Sequence, residues 1–256
     1  MKLKKILAVM MAGAMMLSMA ACGGEETTTA ESTGEQKTID GNVLDAEQYF
    51  NGYLSSEPTT LDSVTGNDTY SSSILTNAME PLTRLAEKDG ENVREGAAAE
   101  SWESNEDGTV WTFHLRDNKW SDGQPVTAND YVYAITRVLT PETGSPNSWL
   151  LTCVKNANAV LAGEMDPSEL GVKAVDDKTI EFTLESPTPY FLALTDTRVM
   201  MPQRQDIVEQ YGESYGAEAS NMVYNGPFKL ETWTHNSELI LVKNDQYWDA
   251  ENVNLQ

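Results

Sequence analysis

Residues 111–137 read WTFHLRDNKWSDGQPVTANDYVYAITR, and the hydrophobic period changes inside that stretch. Trp111, Phe113 and Leu115 fall on one face of an alternating run, while Val110, Thr112 and His114 fall on the other, which predicts a half-buried strand. His114 is then a half-exposed strand residue. Asp122-Gly123 marks a turn, and Pro125 keeps the chain extended after it. Thr127 followed three residues later by Asp130 has the form of a capping box with a shortened acid. The helix it opens carries Tyr131, Ile135, Val138 and Leu139 on one side, and Pro141 ends it. Strand, turn and capped amphipathic helix in immediate succession predict a mixed α/β body.

The same logic extends outward. Ser101-Trp102-Glu103 precedes the turn signal Asn105-Glu106-Asp107-Gly108, so the strand from Val110 is the second arm of a hairpin. From Ser71, a helical face collects Ile74, Leu75, Ala78, Met79 and Leu82. A further helix is predicted from Asn156 to Ala162, closed by Gly163. Val172 to Val175 and Thr179 to Leu184 flank Asp176-Asp177-Lys178 as another hairpin, in which the adjacent acids read as turn formers rather than a catalytic pair. Gln205 to Tyr211 reads as a helix stopped at Gly212. Phe228 to Trp233 and Leu239 to Lys243 form a last strand pair around His235-Asn236-Ser237, with His235 as a hydrated turn residue. Cys153 reads as a small buried core residue.

Composition narrows function by exclusion. The chain has 256 residues, with 17 Lys plus Arg against 40 Asp plus Glu, a net charge of -23. Such a surface repels a phosphate backbone, so no nucleic-acid partner is expected. Two His and two Cys leave no zinc-ligand cluster to assemble, and no metal or cofactor is expected. The chain carries no G-x-S-x-G, no glycine-rich phosphate loop, no H-E-x-x-H and no G-x-G-x-x-G. No residue is assigned a catalytic role, and the protein is not expected to be an enzyme.

The N-terminus reads as an address. Lys2, Lys4 and Lys5 precede an apolar run from Ile6 to Met19 that is too short for a spanning helix. It ends in Ala20, Ala21 and Cys22, an arrangement that resembles the lipobox of bacterial lipoproteins, with Met19 where Leu is usual. Residues 1–21 are therefore expected to be a lipoprotein signal peptide and Cys22 the lipidated residue, with plain cleavage as the alternative. Residues 22–37 hold no large apolar side chain and read as a disordered tether. Loss of residues 1–21 leaves 14 cations against 40 acids. Lipid, not charge, is then expected to hold the body at the extracytoplasmic face of the cell membrane.

Five motifs in order carry a resemblance. Glu57-Pro58-Thr59-Thr60-Leu61-Asp62 resembles the E-P-x-T-L-D opening of the family 5 extracellular solute-binding proteins, the peptide, dipeptide and nickel receptors of bacterial ABC importers. Ala99-Glu100-Ser101-Trp102-Glu103 with residues 111–137 is similar to that family's signature region. Residues 171–191, then Asn225-Gly226-Pro227-Phe228-Lys229-Leu230, and then Lys243-Asn244-Asp245-Gln246-Tyr247-Trp248 complete the series. Together they cover about 38–256, and the oligopeptide-binding branch is the most similar.

The resemblance implies an α/β fold: lobe I of a type II-like periplasmic binding protein with an inserted α+β domain. Lobe I is expected at 38–84 and 192–256, with the insert at 85–191. The signature region is then expected to be structural, its aromatics in the core. Family members are longer and continue through a second lobe that closes over the ligand, so this chain is expected to be an N-terminal portion lacking that lobe. The implied partners are an oligopeptide ligand and the permease and ATPase subunits of an ABC importer, with a monomeric receptor. Receptors for dipeptides, nickel or heme, or a fragment that binds nothing, are the alternatives. Peptide contact is expected at Asn67, Asp68 and Thr69, although T-G-N-D-T is also plain turn chemistry. Trp149 aligns with an aromatic near the ligand, and a core role suits it equally.

Overall fold

The computed structural model describes residues 38–39, 42–43 and 47–256. The signal segment, Cys22 and the tether lie outside the described residues. Two units separate by their contacts, residues 1–46 and 47–256. In the first, β1 (Thr38–Ile39) pairs antiparallel with β2 (Asn42–Val43).

In the second unit, α1 (Thr69–Ala78) buries Ser71, Ile74, Leu75 and Ala78. It begins two residues earlier than the apolar pattern alone indicates, because Asp68 accepts from the Ser71 N–H and so caps it. The hairpin of β3 (Thr83–Lys88) and β4 (Glu91–Gly96) follows. Its turn residues Asp89 and Gly90 both have positive φ, 54° and 81°, as a tight primed hairpin turn demands. The sequence reading did not anticipate this hairpin. TRLAEK has little apolar alternation, and the Asp-Gly turn was the available signal.

The predicted signature strand is central to a four-stranded antiparallel sheet. β5 (Ala99–Ser104) and β6 (Val110–Leu115) form the first hairpin, and β7 (Val172–Asp176) and β8 (Thr179–Thr183) the second, in the order β5-β6-β8-β7. Asp176 Oδ1 accepts from the Lys178 N–H at 2.8 Å, so it is a turn former. α2 (Ala128–Leu139) packs on β7 and β8, with Tyr131, Ile135, Val138 and Leu139 buried. Asp130 Oδ2 accepts from the Thr127 N–H at 2.8 Å and from Trp120 Nε1 at 3.2 Å. The cap therefore also anchors a buried tryptophan.

Between sheet and helices lies an aromatic cluster. Phe113 meets Phe182 edge-on with centroids 5.7 Å apart, and Phe182 meets Phe191 at 5.2 Å. All three are fully buried, each contributing about 2 kcal/mol through its apolar area. α3 (Ala157–Leu161), α4 (Phe191–Leu194) and α5 (Gln205–Tyr211) are short helices around this core. β9 (Phe228–Thr234) and β10 (Glu238–Lys243) form the last predicted pair.

Two expectations are corrected. Cys153 is half-buried and packs against the edge of the core rather than inside it. His235 is not merely hydrated. Its Nδ1 lies 2.8 Å from Glu57 Oε1, so the opening motif is tied to the β9–β10 turn.

Candidate functional site

The side chain of Asp68 is committed locally. Oδ1 accepts from the Ser71 N–H at 2.7 Å, and Oδ2 accepts from Ser71 Oγ and from Thr59 Oγ1, each at 2.6 Å. Burial alone would raise its pKa, but these bonds from Ser71 and Thr59 outweigh it and hold the carboxyl at about 2. Asp68 is therefore a helix cap whose oxygens are already occupied. Asn67 and Thr69 flank it, both exposed.

The main chain around them is held by a hydrogen bond within the turn and by three from distant side chains. The Asp62 carbonyl accepts from the Gly66 N–H at 2.9 Å. The Ser63 carbonyl accepts from Arg198 Nε at 3.1 Å, that of Val64 from Ser145 Oγ at 2.6 Å, and that of Gly66 from Asn147 Nδ2 at 2.9 Å. The backbone N–H and C=O of Thr65 and Asn67 have no partner among the described residues. Thr65 lies in the turn closed by the Gly66 N–H, and Asn67 follows it just before the cap of α1.

Trp149 stands two residues beyond Asn147, in the turn Ser148–Leu151, and is 67% exposed. The core role open to it from the sequence is excluded. The bonds from Ser145 and Asn147 bring the segment that carries it against residues 64–66. Ser145, Asn147 and Arg198 support this turn, and sequence reading missed them. Nothing local marks them, because each acts on carbonyls some 80 to 135 positions away in the chain.

Beneath this segment Asp62, 4% exposed, accepts from Arg137 Nη2 at 3.1 Å and from Gln203 Nε2 at 2.7 Å. Arg137 Nη1 donates to Gln203 Oε1. A Cβ at Gly216 would stand 2.3 Å from the Asp62 nitrogen, and its φ is 77°, so only glycine fits that approach.

A second buried acid ties the later motifs together. Glu80, 4% exposed, accepts from Tyr247 Oη at 3.0 Å and Trp248 Nε1 at 2.9 Å. Burial pushes its carboxyl up to about 7 against those bonds. Arg116 lies 3.7 Å from the Trp248 ring centroid. Asn225 accepts from the Glu80 N–H and donates to the Glu80 carbonyl. These residues fix the fold and do not line the candidate segment.

Two surface grooves, of about 360 and 230 Å³, lie elsewhere. The first contains Arg204, already bridged to Asp122 and Asp206. Among the described residues no group of three or more His, Cys, Asp or Glu could hold a metal ion, and no helix is long and apolar enough to cross a membrane.

Residues 94–256 match the family model for bacterial extracellular solute-binding proteins, family 5 Middle. The chain belongs to that family. Relatives include the probable deoxycholate-binding periplasmic protein YgiS of Escherichia coli, 38% identical over 83% of this chain and 40% of that protein. The periplasmic oligopeptide-binding protein OppA of Salmonella typhimurium is 45% identical over 59% of this chain and 28% of its own length. The structure superposes on the substrate-binding domain of an oligopeptide ABC transporter from Bacillus anthracis with a TM-score of 0.80. It is 46% identical to that protein and covers 83% of this chain and 40% of that one. The fold is thus that of the periplasmic peptide-binding proteins. The chain spans at most about two fifths of the length of these relatives.

Proposed function

We propose that this chain is the first part of an extracytoplasmic receptor that delivers peptides to an ABC importer. In this reading, residues 38–84 and 192–256 belong to lobe I and residues 85–191 form its insert. The observation that carries the reading is the pair of unpartnered main-chain positions, Thr65 and Asn67, in a segment bonded to Asn147, two residues before the exposed Trp149. A peptide laid along that segment would exchange main-chain hydrogen bonds with it, which gives affinity without demanding a sequence. The Trp149 ring would pack on a peptide side chain. Asn67 and Thr69 would supply adjustable polar contacts, and Asp68 would hold the segment by capping α1. A second lobe closing over the ligand would stabilise the closed state through contacts made only there, and that state would engage the permease and its ATPase.

Native mass spectrometry of the full chain, followed by calorimetric titration with trialanine, tests this. A ladder of retained masses displaced by trialanine is expected. A bare mass with no heat at millimolar trialanine contradicts the reading, and heat with deoxycholate alone would move the ligand class toward that named for YgiS.

The anchor forms part of the same proposal. Metabolic labelling with palmitate should mark the wild-type protein and not Cys22→Ser. Equal labelling of both would remove Cys22 from the account.

A further inference from the structure

Arg198 opens the turn Arg198–Met200, just after α4. Its Nε donates to the Ser63 carbonyl at 3.1 Å, and its Nη1 donates to Ser72 Oγ at 3.0 Å. Ser72 Oγ in turn donates to the Asp68 carbonyl at 3.0 Å. Nη2 is buried and has no partner among the described residues. A Cβ at Gly66 would stand 2.6 Å from that nitrogen, so the loop backbone lies directly on the guanidinium.

Among the described residues this arginine makes no ion pair. Asp68 and Asp62 are the acids that act on it, but neither comes within ion-pairing distance. Asp62 is engaged with Arg137 and Gln203, and Asp68 with Ser71 and Thr59. The guanidinium is held by neutral oxygens at the two ends of residues 63–72, so its planar fork sets the distance between them. The segment it spans contains both open main-chain positions. The turn that carries it is itself fastened, because Asp196 pairs with Arg94 at 3.0 Å and Thr195 Oγ1 bonds Thr83 Oγ1 at 2.7 Å.

We propose that Arg198 is the positioning residue of the ligand segment: it works through the backbone of residues 63–68, with Gly66 as the contact that lets the loop lie flat upon it. The inference rests on the peptide-binding reading above for its ligand, but its geometry can be tested without one.

The test compares the full chain with Arg198→Met, Arg198→Lys and Gly66→Ala in two measurements. In the first, amide hydrogen exchange is followed without ligand. Arg198→Met should speed exchange of the Gly66 N–H at least about tenfold and leave Phe113 in β6 unchanged, with Arg198→Lys between. In the second, trialanine affinity should fall about tenfold in Arg198→Met and in Gly66→Ala, and recover partly in Arg198→Lys. Unchanged Gly66 exchange, equal acceleration across Gly66 and Phe113, or wild-type affinity in Arg198→Met would each overturn the proposal. If the wild-type chain binds no trialanine, the peptide-binding reading fails, and Gly66 exchange alone decides whether Arg198 shapes the segment. Should Arg198→Met not fold, the lysine and alanine variants carry both measurements.

Discussion

Arg137 Nη2 lies 3.1 Å from Asp62 Oδ2, and this contact joins the last residue of the E-P-T-T-L-D opening to the last residue of the 111–137 stretch. Two motifs that look unrelated in sequence are the two halves of one buried ion pair. Gln203 Nε2 and the Val64 N–H both reach Asp62 Oδ1, at 2.7 and 2.9 Å, so the carboxylate also shapes the turn leading into the candidate segment.

Arg137→Met is expected to cost about 3 kcal/mol or more in chemical denaturation, because it strands a buried carboxylate. Adding Asp62→Asn to that variant should recover part of the loss. Equal stability of the single and wild-type chains would mean that the pair has no structural weight.

Trp149→Ala separates binding from stability. The side chain is exposed, so unfolding free energy should change by no more than about 0.5 kcal/mol. Trialanine affinity should fall. A large loss of stability with unaltered affinity would reverse that assignment.

Asp68 gives the opposite pattern. Asp68→Ala removes the cap of α1 and should cost about 1 kcal/mol, whereas Asp68→Asn retains an oxygen for the cap and should cost less. The folded pKa of about 2 lies below the ordinary value of 3.8. The stability it contributes is therefore present above about pH 4 and lost as pH falls toward 2. Denaturation midpoints between pH 2 and 5 should show a shallower acid limb in Asp68→Ala. An unchanged limb would show that the carboxylate is not held as described.

Glu80 titrates in the other sense. Its folded pKa of about 7 lies above the ordinary 4.5, so the folded state holds a proton that the unfolded chain releases. Stability should fall as pH rises from about 4.5 to 7, by roughly 3 kcal/mol, and level off above. The difference between wild type and Glu80→Gln isolates this, because the variant cannot titrate. Parallel profiles for the two proteins would contradict a protonated Glu80.

How much of this was legible depended on the range of the interaction. The hairpins of β5–β6, β7–β8 and β9–β10 and the helix α2 follow from alternation, turn residues and a cap that lie within a few positions of one another. β3–β4 escaped notice because its strands are polar on both faces and only Asp89-Gly90 announces it. Asn67 and Thr69 come from the family resemblance, and both are exposed. Asp68 was singled out with them, although its neighbours Thr59 and Ser71 show it capping a helix. The exposure of Trp149 is set by how residues 145–151 fold against the 64–66 turn, which no local pattern encodes. The links Asp62–Arg137, Glu57–His235 and Glu80–Trp248 join positions 75 to 178 apart in the chain and become visible only in three dimensions.

The central claim is that residues 65–69 and Trp149 face the peptide. Photo-crosslinking of the full chain with trialanine carrying a benzophenone group, followed by peptide mapping, reads this directly. The account predicts adducts within residues 65–69 and at Trp149, suppressed by excess unlabelled trialanine. Adducts concentrated in the groove around Tyr133 and Glu209, or labelling that trialanine does not suppress, would contradict it.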